Sequence, residues 1–323
     1  MSLLPADYIG HEDAWIEWRR ALGGERMHHG WILSGRKGVG KSAFALAAAR
    51  ELVAEDGVPQ PTGEHPDVIY LSHPPKNDGE AKKAAEGKPY ERARNIKIDQ
   101  VRKLQQRLNT RPTVGSRRAV IIDPADDMEP SAANALLKTL EEPPQGTFVI
   151  LVAHRIGRLL PTIRSRCRIL NFPRVSDADM EAVLAREAPQ ATGEMRAAAI
   201  AAASGSPGAA IDFVELDLGK IHTLMQQIAD NGDPDFGLRG RLAAAMGARP
   251  SREKQLAAIE LARAVVAARM NSVAQAEIPE LVKTHSALVR LSAQAPTANF
   301  DPGLLIMEVG TLLTGLAASH SAA

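Results

Sequence analysis

Gly35, Gly40, Lys41 and Ser42 stand in the order G-x-x-x-x-G-K-[ST] within SGRKGVGKSAFALA, residues 34–47. That spacing suits the phosphates of a nucleotide. Gly35, Gly38 and Gly40, with Val39 between them, let backbone N–H groups turn into an anion-binding hollow, and the helix that follows adds partial positive charge at its N-terminus. The same spacing directs Lys41 at the β- and γ-phosphates and Ser42 Oγ at a Mg²⁺ ion. The bland alternative is a glycine turn between a strand and a helix, with no ligand. Asp123 closes the run AVIID, and an acid at the end of a neighbouring strand holds the same Mg²⁺ through water. The next residue is Pro124, which has no proton-accepting group where hydrolases of this type often carry Glu. Asp126, Asp127 and Glu129 read as solvated loop acids beyond the turn. The residues therefore predict a nucleotide cradle and a metal acid, without an evident catalytic base.

Such a loop needs a strand before it and a helix after it. GWILS (30–34) is a short apolar run, and KSAFALAAARELVAE is built of helix formers. DVIYL (67–71), RAVIID (118–123), TFVILVA (147–153) and RILNF (168–172) complete a set of five strand-like runs, several apolar throughout, as strands buried on both faces are. Helical spacing of Ile98, Val101, Leu104 and Leu108, and of Ala133, Leu136, Leu137 and Leu140 up to Pro143-Pro144, places helices between them. The pattern predicts an α/β fold with a five-stranded parallel sheet. The polar stretch 72–94 reads as an exposed insertion. After residue 175 the pattern is helical, with breaks at Gly205-Ser206-Pro207-Gly208, NGDPD, GARPS and QAPTANFDPG. The expected division is a core at 1–175, a small helical domain at 176–213 and a helical domain at 214–323.

Bulk composition narrows the setting. The 323 residues are 45 % hydrophobic and 24 % charged, with a net charge of +1, so no global field draws the chain to DNA or membrane. Its single cysteine, Cys167, allows no internal disulfide, and a zinc site needs about four ligands. The N-terminus lacks the pattern of a signal peptide, and no run of about 18 apolar residues exists. A cytoplasmic protein without membrane partners is expected. His28, His29 and His65 are not at metal-like spacing and read as structural.

SAANALLKTLEEPPQGTFVILVA, followed by RLLPTIRSRCRILNF, resembles the clamp-loader branch of the AAA+ family. RMHHGWILSGRKGVGKS and GEHPDVIYL fit the same branch, over residues 8–213 by motif and beyond that by helical character. The resemblance implies an AAA+ core, a helical lid and an oligomerising collar. It also implies a hetero-pentamer with motor (gamma/tau) and delta subunits of DNA polymerase III, which loads the sliding β-clamp onto primed DNA at replication forks of the nucleoid. It assigns Arg166, in Ser165-Arg166-Cys167, as an arginine finger acting on the ATP of the adjacent motor subunit. Without the resemblance, Arg166 reads as one of several surface arginines. Cys167 then reads as a small buried hydrophobe.

The chain also departs from the family pattern. DGVPQPTGEHPD carries no cysteine where many relatives have a four-cysteine zinc module, so no zinc is expected. Pro124 interrupts the acid pair of the motors, and GSPGAA has Pro207 and Gly208 where the lid arginine belongs. A subunit that binds ATP or ADP with Mg²⁺ weakly and turns over little of it is the leading reading. The alternative is a self-sufficient motor ATPase of the same family. A P-loop kinase would need a substrate site that nothing after residue 175 suggests. Basic clusters at 92–118 and 155–174 allow contact with a nucleic-acid backbone or are solvated or subunit-facing surfaces. No aromatic residue is interleaved for base stacking.

Overall fold

The computed structural model describes residues 8–24, 26–270, 273, 275–295 and 300–318. The chain divides into two compact units, Met1–Val175 and Ser176–Ala323. In chain order, the first contains α1 (Glu12–Leu22), β1 (Gly30–Gly35), α2 (Lys41–Val53), β2 (Val68–Leu71), α3 (Asp78–Ala85) and α4 (Ile98–Leu108). Then follow β3 (Arg118–Ile122), α5 (Pro130–Glu141), β4 (Thr147–Ala153), α6 (Pro161–Arg164) and β5 (Arg168–Phe172). All five apolar runs form strands. They build one sheet in the order β2-β3-β4-β1-β5, parallel at every pairing.

Alternation along these strands divides the core between the two faces of the sheet. Trp31, Leu33, Ile121 and Val152 pack with Trp15 and Trp18 of α1 and Phe44 of α2. Ile32, Val120, Ile122 and Leu151 pack with Val101 and Leu104 of α4 and Leu136 and Leu140 of α5. Both faces are covered, which is why β3 and β4 contain almost no polar residue. The α5 stripe is slightly rotated from expectation: Ala132 and Thr139 join Ala133, Leu136 and Leu140 inside, and Leu137 is half-buried.

Two polar segments differ from their sequence reading. Within the insertion 72–94, Asn77 caps a short helix, α3, by accepting the Glu80 N–H. Acids occupy its first turn and Lys82 and Lys83 its last, the order that suits the helix dipole. No residue of α3 is buried, so local capping and charge hold a helix that tertiary packing does not. In the basic stretch 92–118, Arg118 is 2 % exposed. Its guanidinium donates to the carbonyls of Arg107, Thr110 and Arg111 and lies 3.6 Å from the buried Asp67. Asp67 in turn accepts the Thr113 and Val114 N–H groups. Arg118 is thus an internal brace and not part of a basic surface, and Arg107 is tied to the Pro66 carbonyl.

The second unit contains α7 (Asp177–Glu187), α8 (Gly193–Ala203), α9 (Pro207–Glu215), α10 (Gly219–Asn231), α11 (Gly237–Met246), α12 (Arg252–Arg269), α13 (Ile278–Gln294) and α14 (Pro302–Ala318). Ser176, Thr192, Ser206 and Ser251 cap α7, α8, α9 and α12 by accepting N–H groups three residues on. Each such cap contributes roughly 1 kcal/mol. Pro207 follows Ser206 as the first residue of α9, where its missing N–H costs nothing. Helices α7, α8 and α9 pack on one another, as do α10 to α14, and α8 also touches α10 and α12. Among the described residues, no helix is long and apolar enough to cross a membrane.

Candidate nucleotide-binding site

The phosphate-loop residues lie where β1 leaves the sheet and α2 begins. Gly38 and Gly40 have φ of 80° and 104°, a region open to glycine at little cost. Gly35 is fixed by packing as well, because a Cβ there would sit 2.4 Å from the Phe172 carbonyl oxygen. Val39 is buried, and its carbonyl lies 2.8 Å from His11 Nε2. The Tyr8 hydroxyl donates to the Gly40 carbonyl at 3.3 Å. The residues before α1 thus brace the loop from outside, a role their sequence did not advertise.

Lys41 is 3 % exposed. Its ammonium donates to the Gly35 and Arg36 carbonyls, each at 2.6 Å. Burial lowers its pKa to about 8, against the opposing pull of Asp123 and Asp126. Asp123 is 8 % exposed and follows β3 directly. Its Oδ2 accepts a 2.5 Å hydrogen bond from the Tyr70 hydroxyl, and Ser42 is close enough to bear on the same phenol. Burial, and then the bond to Asp123, push the Tyr70 phenol pKa well up. The loop and Lys41 fit a polyphosphate. Ser42 and Asp123 supply the hard oxygen donors Mg²⁺ favours, but the Tyr70 hydroxyl lies on Asp123. Among the described residues, no cluster of three or more His, Cys, Asp or Glu side chains could hold a metal ion.

Asp126 is not a solvated loop acid, contrary to the sequence reading, and Asp127 is half-buried in ion pairs. Asp126 is 6 % exposed and accepts the His154 and Arg155 N–H groups, tying β3's exit to that of β4. Asp127 lies 3.3 Å from His73 and 3.2 Å from Arg158. His154, which follows β4, has a buried Nδ1 without a hydrogen-bond partner. Its pKa is lowered by burial and then by Lys41, with Asp126 and Asp123 opposing. Tyr70 and His154 were missed by sequence reasoning, and Asp126 was misread as solvated; Asp126 and His154 follow β3 and β4 closely, the only signal of their place here.

Arg166 is absent from this cluster. Parallel pairing sets Trp31 opposite Arg168 and Gly35 opposite Phe172. Arg166 precedes that pairing, whereas the loop follows it, so about 13 Å of strand separates the two ends. The Arg166 guanidinium is 2.7 Å from Glu141 and donates to the Thr162 carbonyl at 3.0 Å. Neighbouring arginines are paired too: Arg158 with Asp127 and Arg168 with Glu17. Acids distant in sequence therefore balance much of the 155–174 cluster. Cys167 is half-buried, and burial pushes its thiol up to about 12. His29 meets the Leu140 carbonyl, and His65 accepts the Asp67 N–H, so both serve the fold.

A family model described as "DNA polymerase III, delta subunit" matches residues 10–176, just over half of the chain. The DNA polymerase III subunit delta' of Pseudomonas aeruginosa is 33 % identical over 207 residues, covering 59 % of this chain and 58 % of that one. The subunit delta' of Escherichia coli is 30 % identical, covering 63 % and 60 %. The chain thus spans about three fifths of the length of these two relatives. A DNA polymerase III gamma subunit-related protein of Thermotoga maritima has the same fold, with a TM-score of 0.50 at 19 % identity over 93 % of this chain and 98 % of that one. By the family match over β1 to β5 and its phosphate loop, the chain belongs to the DNA polymerase III delta subunit family.

Proposed function

We propose that the chain is the delta-prime subunit of a clamp loader that presents Arg166 to ATP held by a neighbouring motor subunit. The position of Arg166 carries this reading: it lies at the end of the sheet opposite its own phosphate loop, so any ATP it reaches belongs to another chain. Its ion pair with Glu141 is half-exposed, and pairs of that kind hold by roughly 1 kcal/mol or less, so the guanidinium is free to leave when a triphosphate arrives. Fingers of this type raise hydrolysis by about 10³ to 10⁵.

The chain's own site binds ATP or ADP weakly through Gly35, Gly38, Val39, Gly40 and Lys41, with Ser42 and Asp123 as the donors for Mg²⁺. It lacks a carboxylate base, since Pro124 follows Asp123 and Asp126 is committed to backbone N–H groups. Residues 176–213 serve as lid and 214–323 as collar. The exposed Ile278, Val282 and Val289 recur at helical spacing along α13 and suit a subunit contact. The partners are motor and delta subunits in a hetero-pentamer, the sliding β-clamp, and primed DNA through its backbone. The test is ATP turnover by the pure chain and by the chain mixed with motor and delta subunits. The expected result is turnover near background alone and strong turnover in the mixture. Comparable turnover by the pure chain would make it a motor.

A further inference from the structure

The end of β2 meets the exit of β3 through the Asp123 N–H, which donates to the Leu71 carbonyl at 2.9 Å. This backbone bond carries Tyr70 alongside the phosphate loop. Its hydroxyl donates to Asp123 Oδ2 at 2.5 Å, with Ser42 close enough to bear on the phenol. Those two side chains are the ones a nucleotide-bound Mg²⁺ would need. A phenol satisfies a carboxylate lone pair with a proton, as the metal would with charge, but it brings no affinity for phosphate. Tyr70 is also 43 % exposed, so its ring can swing outward without opening the core.

We infer that Tyr70 is a specificity-determining residue of the phosphate loop, an internal occupant of the metal position that leaves nucleotide binding independent of Mg²⁺. This rests on the reading of Gly35–Ser42 as a nucleotide cradle. A polyphosphate meets the loop N–H groups and exchanges for the Gly35 and Arg36 carbonyls on the Lys41 ammonium, whereas Mg²⁺ must first displace the phenol from Asp123. Tyr70→Phe removes only the hydroxyl and frees Asp123.

The experiment is calorimetric titration of the full chain with ADP, in Mg²⁺ and in EDTA, for the natural protein and for Tyr70→Phe. Lys41→Ala in each background assigns the signal to this loop. The natural protein is expected to bind ADP with the same affinity in both buffers, within about twofold. Tyr70→Phe is expected to bind about tenfold more tightly in Mg²⁺ than in EDTA, the size of shift that one charge-assisted hydrogen bond can impose. Measurable binding with the same Mg²⁺ dependence in both proteins would overturn the role of Tyr70 and leave the cradle standing. Absence of binding at millimolar ADP in every sample would overturn the cradle, and the inference with it.

Discussion

Lys41 holds the most consequential charge in the site, and its environment sets a pH dependence. Burial lowers its pKa to about 8, so the free chain loses this ammonium as pH rises through about 8. A bound polyphosphate favours the charged form, so binding above that pH requires proton uptake. ADP affinity is therefore expected to fall between about pH 7.5 and 9.5, by at most tenfold per pH unit. Lys41→Arg, charged throughout that range, should remove the slope. Calorimetry across the pH series checks both. Some of these residues were legible in the sequence. Lys41 and Ser42 announce themselves by fixed spacing, and Asp123 by closing an apolar run. Tyr70 stands 53 residues from the carboxylate it binds, and Glu141 stands on α5, remote from the segment that carries Arg166. Pairings of this kind arise only when the sheet brings the elements together.

At the scale of elements, the same glycine serves both phosphate loop and sheet. Gly35 is the last residue of β1, and its α-carbon faces the Phe172 carbonyl across the β1–β5 pairing. Gly35→Ala should therefore destabilise the first unit by about 1–3 kcal/mol, as overpacking does, before any effect on ligand is considered. Trp15, Trp18 and Trp31 are the only tryptophans and all are buried in this unit, so the fluorescence midpoint in denaturant reports its unfolding alone. An unchanged midpoint would contradict the packing account. The strands were readable because burial on both faces leaves continuous apolar runs. Helix α3 was not, because its apolar content is too low for a periodic signal and its stability comes from one cap and a few charges. Arg118 was misread for a related reason: composition counts its charge, and only the fold shows the carbonyls that surround it.

For the whole molecule, the division of labour follows from the two ends of one parallel sheet. In the proposed reading, the loop end holds a nucleotide cradle with Pro124 where a carboxylate base would stand. The other end holds an arginine that this cradle cannot use. On the proposed division, the chain's contribution to hydrolysis comes from Arg166 and not from Lys41. The most direct test is ATP turnover and clamp loading by the assembled complex with Arg166→Ala or Lys41→Ala in this subunit, and unaltered motor and delta subunits. Arg166 is a half-exposed residue, so its truncation should leave folding and assembly intact, which size-exclusion of the complex checks. Arg166→Ala is expected to cut DNA- and clamp-stimulated turnover several-fold or more, with other fingers in the complex masking part of the loss, and Lys41→Ala to change it little. Loss of loading with Lys41→Ala and full activity with Arg166→Ala would contradict the account and make this chain a motor.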